Sequence, residues 1–371
     1  MKKSAVIILF VIVIAVFLAI GVANKDNIVN YFNNKEWELV ESIGTVRVNN
    51  YYTVDGTTTN LLVVGNNYVT GYSDTVKEVF DESVSLKSAI TNTNGDYCIV
   101  GEKGGTKIYL LNSSTKLWES EIQGDILGVS VNKNGYSSVI YKQTGYKSLI
   151  KILAPDGTEL FTSYLASTYA IDTQISNDNK KLAIAEINAE GINVQCSIRL
   201  IDINNVNQEN ITKISLGSDI LVTDIEYNDK NQLLVLTDSS AIVINDDVPN
   251  TIVENFDNSV CFATIENAND VVLISKVENG LFDISYEVNI YAYKEGTVHT
   301  STYPLKVLPS MISAGTKYIA LLLENELVII NTSGRLVKHC MISGNVKEVK
   351  FFGNGSVLAL VYRDKIEFLK I

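Results

Sequence analysis

The side chains able to do chemistry in this chain are few: two histidines, four cysteines and an excess of carboxylates. His339 adjoins Cys340, the base and nucleophile types of thiol catalysis. Both fall in a stretch that reads as strand, where successive side chains point to opposite faces, so they cannot act together. His299 stands alone in a similar stretch. Cys98, Cys196, Cys261 and Cys340 show neither CxxC nor metal-ligand spacing and are expected as free thiols without a disulfide. Gly101-Glu102-Lys103-Gly104-Gly105-Thr106-Lys107 has the glycine content of a phosphate loop. A strand follows it, however, where a helix N-terminus would have to supply amide donors. No GxSxG, HExxH, EF-hand loop or GxGxxG occurs. No catalytic set, metal site or cofactor is therefore expected. One acidic group remains: Asp81, Glu82, Asp125, Asp219 and Asp257 fall in or beside segments that join successive repeats. In a closed ring they would converge near the axis and attract a cation or a basic peptide.

The elements that would position them are strands. In KYIALLLENELVIINTSGRLVKHCMISG, from Lys317 to Gly344, two apolar runs and a mixed third run are separated by turn chemistry. The turns stand too close together for helices. Runs without alternation imply strands covered on both faces. The first run recurs as Leu61–Val64, Tyr97–Val100, Leu182–Ala185, Leu233–Leu236 and Val357–Leu360. Turn dipeptides such as Asp55-Gly56, Asn94-Gly95 and Asn134-Gly135 precede the recurrences. Units begin near residues 45, 85, 125, 169, 220, 259, 306 and 346. A period of about 40–50 residues with four strands per unit predicts an all-β propeller. The count gives eight blades, with seven as the alternative. The last unit supplies only three strands, and residues 36–44 resemble an outer strand, so the two chain ends are expected to share a sheet and remove an open edge.

Ahead of the ring, Lys2 and Lys3 precede an uncharged stretch, Ala5 to Ala23, rich in Ile, Val, Leu and Phe. Its length matches a bilayer core and exceeds the apolar region of a cleaved signal peptide. Residues 1–23 are expected as an uncleaved transmembrane anchor, 24–35 as a stalk and 36–371 as the propeller. The lysines place the N-terminus in the cytoplasm and the ring outside. Without Lys2 and Lys3 the chain keeps 28 basic against 42 acidic residues, a charge of −14. Such a field disfavours nucleic acid as a partner.

Eight four-stranded units closed by an N-terminal strand resemble the quinoprotein and outer-membrane-assembly propeller group over residues 36–371. The chain has only Trp37 and Trp118 and no adjacent cysteines. It therefore departs from the tryptophan docking motif and vicinal cysteine pair of quinoprotein enzymes. A Lys-led anchor before a low-tryptophan, WD-repeat-like ring is more similar to the uncharacterised single-pass propeller proteins of Gram-positive bacteria. That resemblance implies fold and location, with no mechanism. The expected function is a non-catalytic scaffold binding an envelope protein or cell-wall polymer. The alternatives are a ligand sensor, or a hydrolase or oxidoreductase with its site in the central funnel.

Overall fold

The computed structural model describes residues 41–48, 52–205, 211–254, 256, 259–266, 270–278, 284–294 and 296–371. The expected anchor, the stalk and residues 36–40 of the expected closing strand lie outside them. No helix long and apolar enough to cross a membrane occurs among the described residues.

Eight four-stranded antiparallel sheets are present, which excludes the seven-bladed alternative. Blades 1 to 7 span residues 52–83, 89–121, 125–165, 169–218, 222–253, 260–305 and 311–341. Blade 8 combines 348–370 with the N-terminal strand Glu41–Arg47. The first strand of each blade lies innermost, beside its neighbours around the axis.

The unalternating apolar runs have a direct physical reason. One apolar cluster fills every junction between neighbouring blades. In the second strand of blade 1, Leu61 and Val63 enter the junction with blade 8, while Leu62 and Val64 enter the junction with blade 2. Alternate side chains therefore serve two different cores, and both faces must be apolar. Outer strands lie at the perimeter and are partly wetted, as in Leu336–Met341.

Ring closure rests on Glu41–Arg47, which pairs antiparallel with Lys365–Lys370, Val46 opposite Ile366. The strand thus runs three residues further than the expected 36–44, because Thr45, Val46 and Arg47 keep extending the ladder. Ile43 and Val46 pack on the blade 8–blade 1 cluster that holds Ile366 and Phe368. Another local difference concerns Asp55-Gly56, which ends the inner strand of blade 1 rather than forming its turn. The turn is Thr57-Thr58-Thr59, where the Thr57 hydroxyl accepts the Asn60 amide at 2.9 Å. Asn94-Gly95 and Asn134-Gly135 do turn the chain, with φ of 57° and 84° at the glycines.

Two faces result. Hairpin connections between second and third strands share one face with the inter-blade connections; this is the loop face. Turns after the first and third strands lie on the opposite, turn face. Glu41 pairs with Lys370, at the end of a third strand, so the chain enters the ring on the turn face.

Candidate functional site

The inner strands carry polar residues where a core would be apolar, and these reach sideways to the next blade. Asp55 of blade 1 accepts the Thr93 hydroxyl of blade 2 at 3.0 Å and pairs with Lys350 of blade 8 at 2.9 Å. Asn92 accepts the Val131 amide at 2.9 Å, and Ser130 donates to Gln174 at 3.2 Å. Asp172 accepts its neighbour's amide, Thr173, at 2.7 Å and also the Ile225 amide of blade 5. This polar belt links six of the eight inner strands among the described residues. Burial between the blades, with the Asp224 charge adding to it, pushes the Asp172 carboxyl up to about 7. Burial alone raises Asp224 to about 6. Burial also raises Glu348, against the pull of Lys350.

On the turn face the connections are locked to one another. Asn132 is fully buried; its Oδ1 accepts the amides of Asn134 and Tyr136, both at 3.0 Å. Its Nδ2 donates to the Ser176 carbonyl at 2.9 Å and to Asn179 Oδ1 at 2.6 Å, across the junction with blade 4. Asn177 then donates to the Asn228 carbonyl of blade 5 at 3.1 Å, and the Asp178 amide to Asn231 at 2.9 Å. Lys133 of blade 3 reaches past blade 4 to Asp229 of blade 5 at 2.7 Å. Inside this rim opens an axial cavity of about 480 Å³ whose wall draws on all eight blades.

The loop face is built differently. Tyr146 and Tyr164 of blade 3 are 42% and 57% exposed, their ring centroids 5.0 Å apart. Lys147 donates to the Tyr169 hydroxyl at 3.3 Å and faces Glu190 at 3.8 Å. Glu190 belongs to the blade 4 hairpin, where Ile192 projects fully into solvent. The Asp219 amide donates to the Val194 carbonyl of that hairpin at 2.8 Å, and exposed Leu221 follows. Exposed Leu127 opens blade 3 on the same face. Aromatic and aliphatic side chains thus form a strip over blades 3 to 5, rimmed by Lys147, Glu190 and Asp219.

The acidic residues singled out from the sequence take separate places. Asp81 and Glu82 lie on the outermost strand of blade 1, away from the axis. Asp81 accepts the Thr70 hydroxyl at 2.7 Å. Glu82 binds the Thr115 hydroxyl at 2.7 Å and the Lys116 amide at 3.2 Å, which hold its carboxyl below the usual range. Asp125 opens the inner strand of blade 3, exposed and opposite Lys142. Asp219, at φ 59°, accepts from Asn193 at 3.0 Å. Asp257 lies outside the described residues. No hydrogen bond or ion pair joins the four that are described. No metal-ligating group of three His, Cys, Asp or Glu occurs among the described residues. Cys98 and Cys196 are buried free thiols, and Cys340 is half-buried with its thiol pushed up to about 11 by burial. His339 pairs with Glu326 at 3.0 Å, on the sheet face away from Cys340.

Sequence reasoning missed the strip, although Gly145-Tyr146 and Gly191-Ile192-Asn193-Val194 set apolar residues among turn residues. It also missed Asp172 and Asp224, whose neighbours come from adjacent blades.

A family described as a family of unknown function, DUF5711, matches residues 24–371. No curated protein matches the sequence. Among solved structures, the chain is similar to the C-terminal WD40 domain of Sif2, with a TM-score of 0.60 and 14% identity over 90% of this chain and 99% of that one. It is also similar to BamB from Moraxella catarrhalis, at 0.52 and 13% over 90% and 98%. An oligogalacturonate lyase in complex with manganese matches at 0.52 and 11% over the same shares. At these identities the likeness is one of fold.

Proposed function

Starting from the fact that this chain belongs to the DUF5711 family, we propose that it is a membrane-tethered, extracytoplasmic scaffold that docks a protein partner on its loop face. The exposed strip Leu127, Tyr146, Tyr164, Tyr169, Ile192 and Leu221 carries this reading. Large side chains left in water on a rigid scaffold, with charges at the rim, have the make-up of an interface centre. Tyrosine gives apolar area at small entropy loss, and Ile192 forms a knob that an apolar pocket would enclose. The polar groups at the axis, by contrast, are engaged in joining blades.

Residues 1–23 provide the tether in this reading. The chain enters on the turn face, so a tether there keeps that face nearer the bilayer and turns the loop face outward. BamB and WD40 domains share the fold, which suits a scaffold.

The test is site-directed photocrosslinking in cells that make the full chain. A crosslinking residue at Tyr146 or Ile192 gives one discrete protein adduct, and the same residue at Asn134 on the turn face gives none. Equal adducts from both faces, or capture of cell-wall glycan instead of protein, overturns the reading. A C-terminal alkaline phosphatase fusion is active if the ring is extracytoplasmic and inactive if it is not.

A further inference from the structure

The loop face has two halves, and the docking strip occupies one of them. Around the strip, over blades 3 to 5, the carboxylates of Asp125, Glu190, Asp219, Asp238 and Glu254 outnumber Lys142 and Lys147. Over blades 8, 1 and 2 the sign reverses. Arg47, Lys347 and Arg363 stand at the loop-face end of blade 8, and Lys87, Lys103 and Lys107 at that of blades 1 and 2. We propose that this basic arc binds an extended polymer of phosphodiester-linked units, at a site separate from the protein-docking strip.

Backbone contacts hold the arc together. In blade 8 the Lys347 amide donates to the Val361 carbonyl at 2.7 Å, and the Val48 amide to the Asp364 carbonyl at 3.1 Å. Arg47 lies opposite Lys365 in the outer ladder. Neighbouring strands are about 4.8 Å apart, so Lys347, Arg363 and Arg47 spread over about 14 Å of the sheet end. Further round, the Leu86 amide donates to the Asn66 carbonyl of the blade 1 hairpin at 2.7 Å. The Lys103 amide donates to the Ser88 carbonyl at 2.8 Å, which sets Lys87 beside the hairpin that carries Lys103. Arg47, Lys87, Lys103, Lys347 and Arg363 are exposed and Lys107 is half-buried. None of the six takes part in an ion pair among the described residues, whereas Lys365 is matched by Glu367 at 3.5 Å. Of the carboxylates on the arc, Asp364 and Glu121 are exposed, while Glu102 is buried and accepts the Lys87 amide at 3.1 Å.

Unmatched cations in a chain of net charge −12 mark a place for an anion. Screening over about 8 Å at physiological salt leaves this local sign to govern what settles there. Cations on blades 8 and 2, with the uncharged Asn66-Asn67 hairpin between them, suit a ligand charged along its length rather than one small anion. Two of the chain's four arginines are on the arc, and a guanidinium fork pairs with phosphate oxygens bidentately. Among the described residues of blades 8, 1 and 2, the large apolar side chains left exposed are Val79 and Leu117, both at the turn-face ends of outer strands. The arc therefore offers no platform on which bases could stack. It also lacks the apolar anchors with which an acidic protein segment would be held.

Fluorescence anisotropy on the full-length chain in uncharged detergent tests the arc. The probe is a labelled abasic oligodeoxynucleotide, which has phosphodiesters without bases; poly-glutamate and oligothymidylate are the comparison polyanions. The abasic chain binds with a Kd below about 50 μM at about 50 mM salt, and poly-glutamate binds at least about fivefold more weakly. Contact with three or four phosphates weakens binding about 20- to 50-fold between about 50 and 200 mM salt. Lys347→Glu with Arg363→Glu weakens it at least about tenfold and flattens the salt dependence, and Lys87→Glu with Lys103→Glu does the same. Lys142→Glu, on the loop face of blade 3, leaves it unchanged. All five side chains are exposed, and an unchanged thermal midpoint shows that each variant is folded. Binding weaker than about 50 μM, poly-glutamate within fivefold of the probe, or either double variant binding like the parent overturns the proposal. So does a loss in Lys142→Glu as large as in the double variants. Oligothymidylate that binds more than about threefold tighter than the abasic chain reveals base recognition and likewise overturns it.

Discussion

The turn face and the loop face close the same sheets, yet they treat their polar groups in opposite ways. On the turn face, side chains such as Asn132, Asn177 and Asn228 cap their own turns or clasp the next blade. On the loop face, the connections of blades 3 and 4 carry Tyr146 and Ile192 outward. The difference separates two tasks that every ring must perform. Blade spacing is fixed by short turns with self-satisfied backbone groups. The connections opposite also join blades, as where the Gly104 amide donates to the Ile126 carbonyl at 2.8 Å, but those of blades 3 and 4 present surface as well. Substitutions on the two faces should therefore act on different observables, stability for one and binding for the other.

The largest effect is expected from the strand that enters on the turn face. Deleting residues 41–47 strips the outer edge from blade 8 and uncovers Ile366 and Phe368, which are fully buried in the closed ring. Burying such side chains stabilises by about 1.5–3 kcal/mol each, comparable to a sizeable part of a domain's net stability. The shortened chain should lose its cooperative thermal transition in circular dichroism. A midpoint within a few degrees of the intact chain would show that the wheel does not depend on its leading strand.

Next in size is Asn132→Ala on the turn face. It removes two acceptor contacts to the turn and two donor contacts across the blade 3–blade 4 junction, all in a fully buried setting. Each lost bond to a buried neutral group is worth about 1 kcal/mol, with the stranded partners adding to the loss. A destabilisation of about 2–4 kcal/mol is expected in urea unfolding. A value under about 0.5 kcal/mol would mean that the turn face is no more rigid than the loop face.

How far such contrasts were legible in the sequence depends on which direction of the ring they run along. Along the chain, legibility was high: Leu61–Val64 and its counterparts announced strands covered on both faces, and the structure shows each run feeding two junctions. Around the ring and outward from the axis, it was low. Sequence spacing places Asp81 and Glu82 beside an inter-blade connection but carries no radius, and they sit on the perimeter. Asp172 meets Ile225 across a blade junction, a pairing that no local pattern encodes. The extension of the closing strand to Arg47 was hidden because Gly44 looks like a stop, whereas the register slips there and continues.

The polar belt between the two faces gives a smaller, pH-dependent prediction. Asp172 and Asp224 have carboxyls raised to about 7 and about 6, so the folded ring holds protons that the unfolded chain releases from about pH 4 upward. Stability is then lost progressively as pH rises from about 4 to 7 and is fully present only below about pH 4. Asp172→Asn keeps an uncharged group in place. Relative to the parent, it should gain about 1–2 kcal/mol at pH 8 compared with pH 5, a rise of a few degrees in midpoint. Equal differences at the two pH values would place the proton elsewhere.

Smallest in stability, and most informative about the loop face, is Ile192→Asp. Ile192 is fully exposed at the tip of its hairpin, so the substitution removes no packed neighbour and strands no hydrogen bond. The expected change in unfolding free energy is within about 0.5 kcal/mol, against the several expected for Asn132→Ala. Binding should respond in the reverse order. A carboxylate placed where a partner encloses an apolar knob must be desolvated without a counter-charge, which is worth about 2 kcal/mol or more at an interface centre. The crosslinked adduct formed from Tyr146 should therefore fall by at least about tenfold in the Ile192→Asp chain. It should persist in an Asn134→Ala chain once that protein is shown to be folded. If Ile192→Asp destabilises the ring as much as Asn132→Ala does, the hairpin tip is structural and the division of labour between the faces fails. If stability and adduct are both untouched, the strip is not the docking surface, because a fully exposed isoleucine at its centre would then contribute to neither packing nor binding.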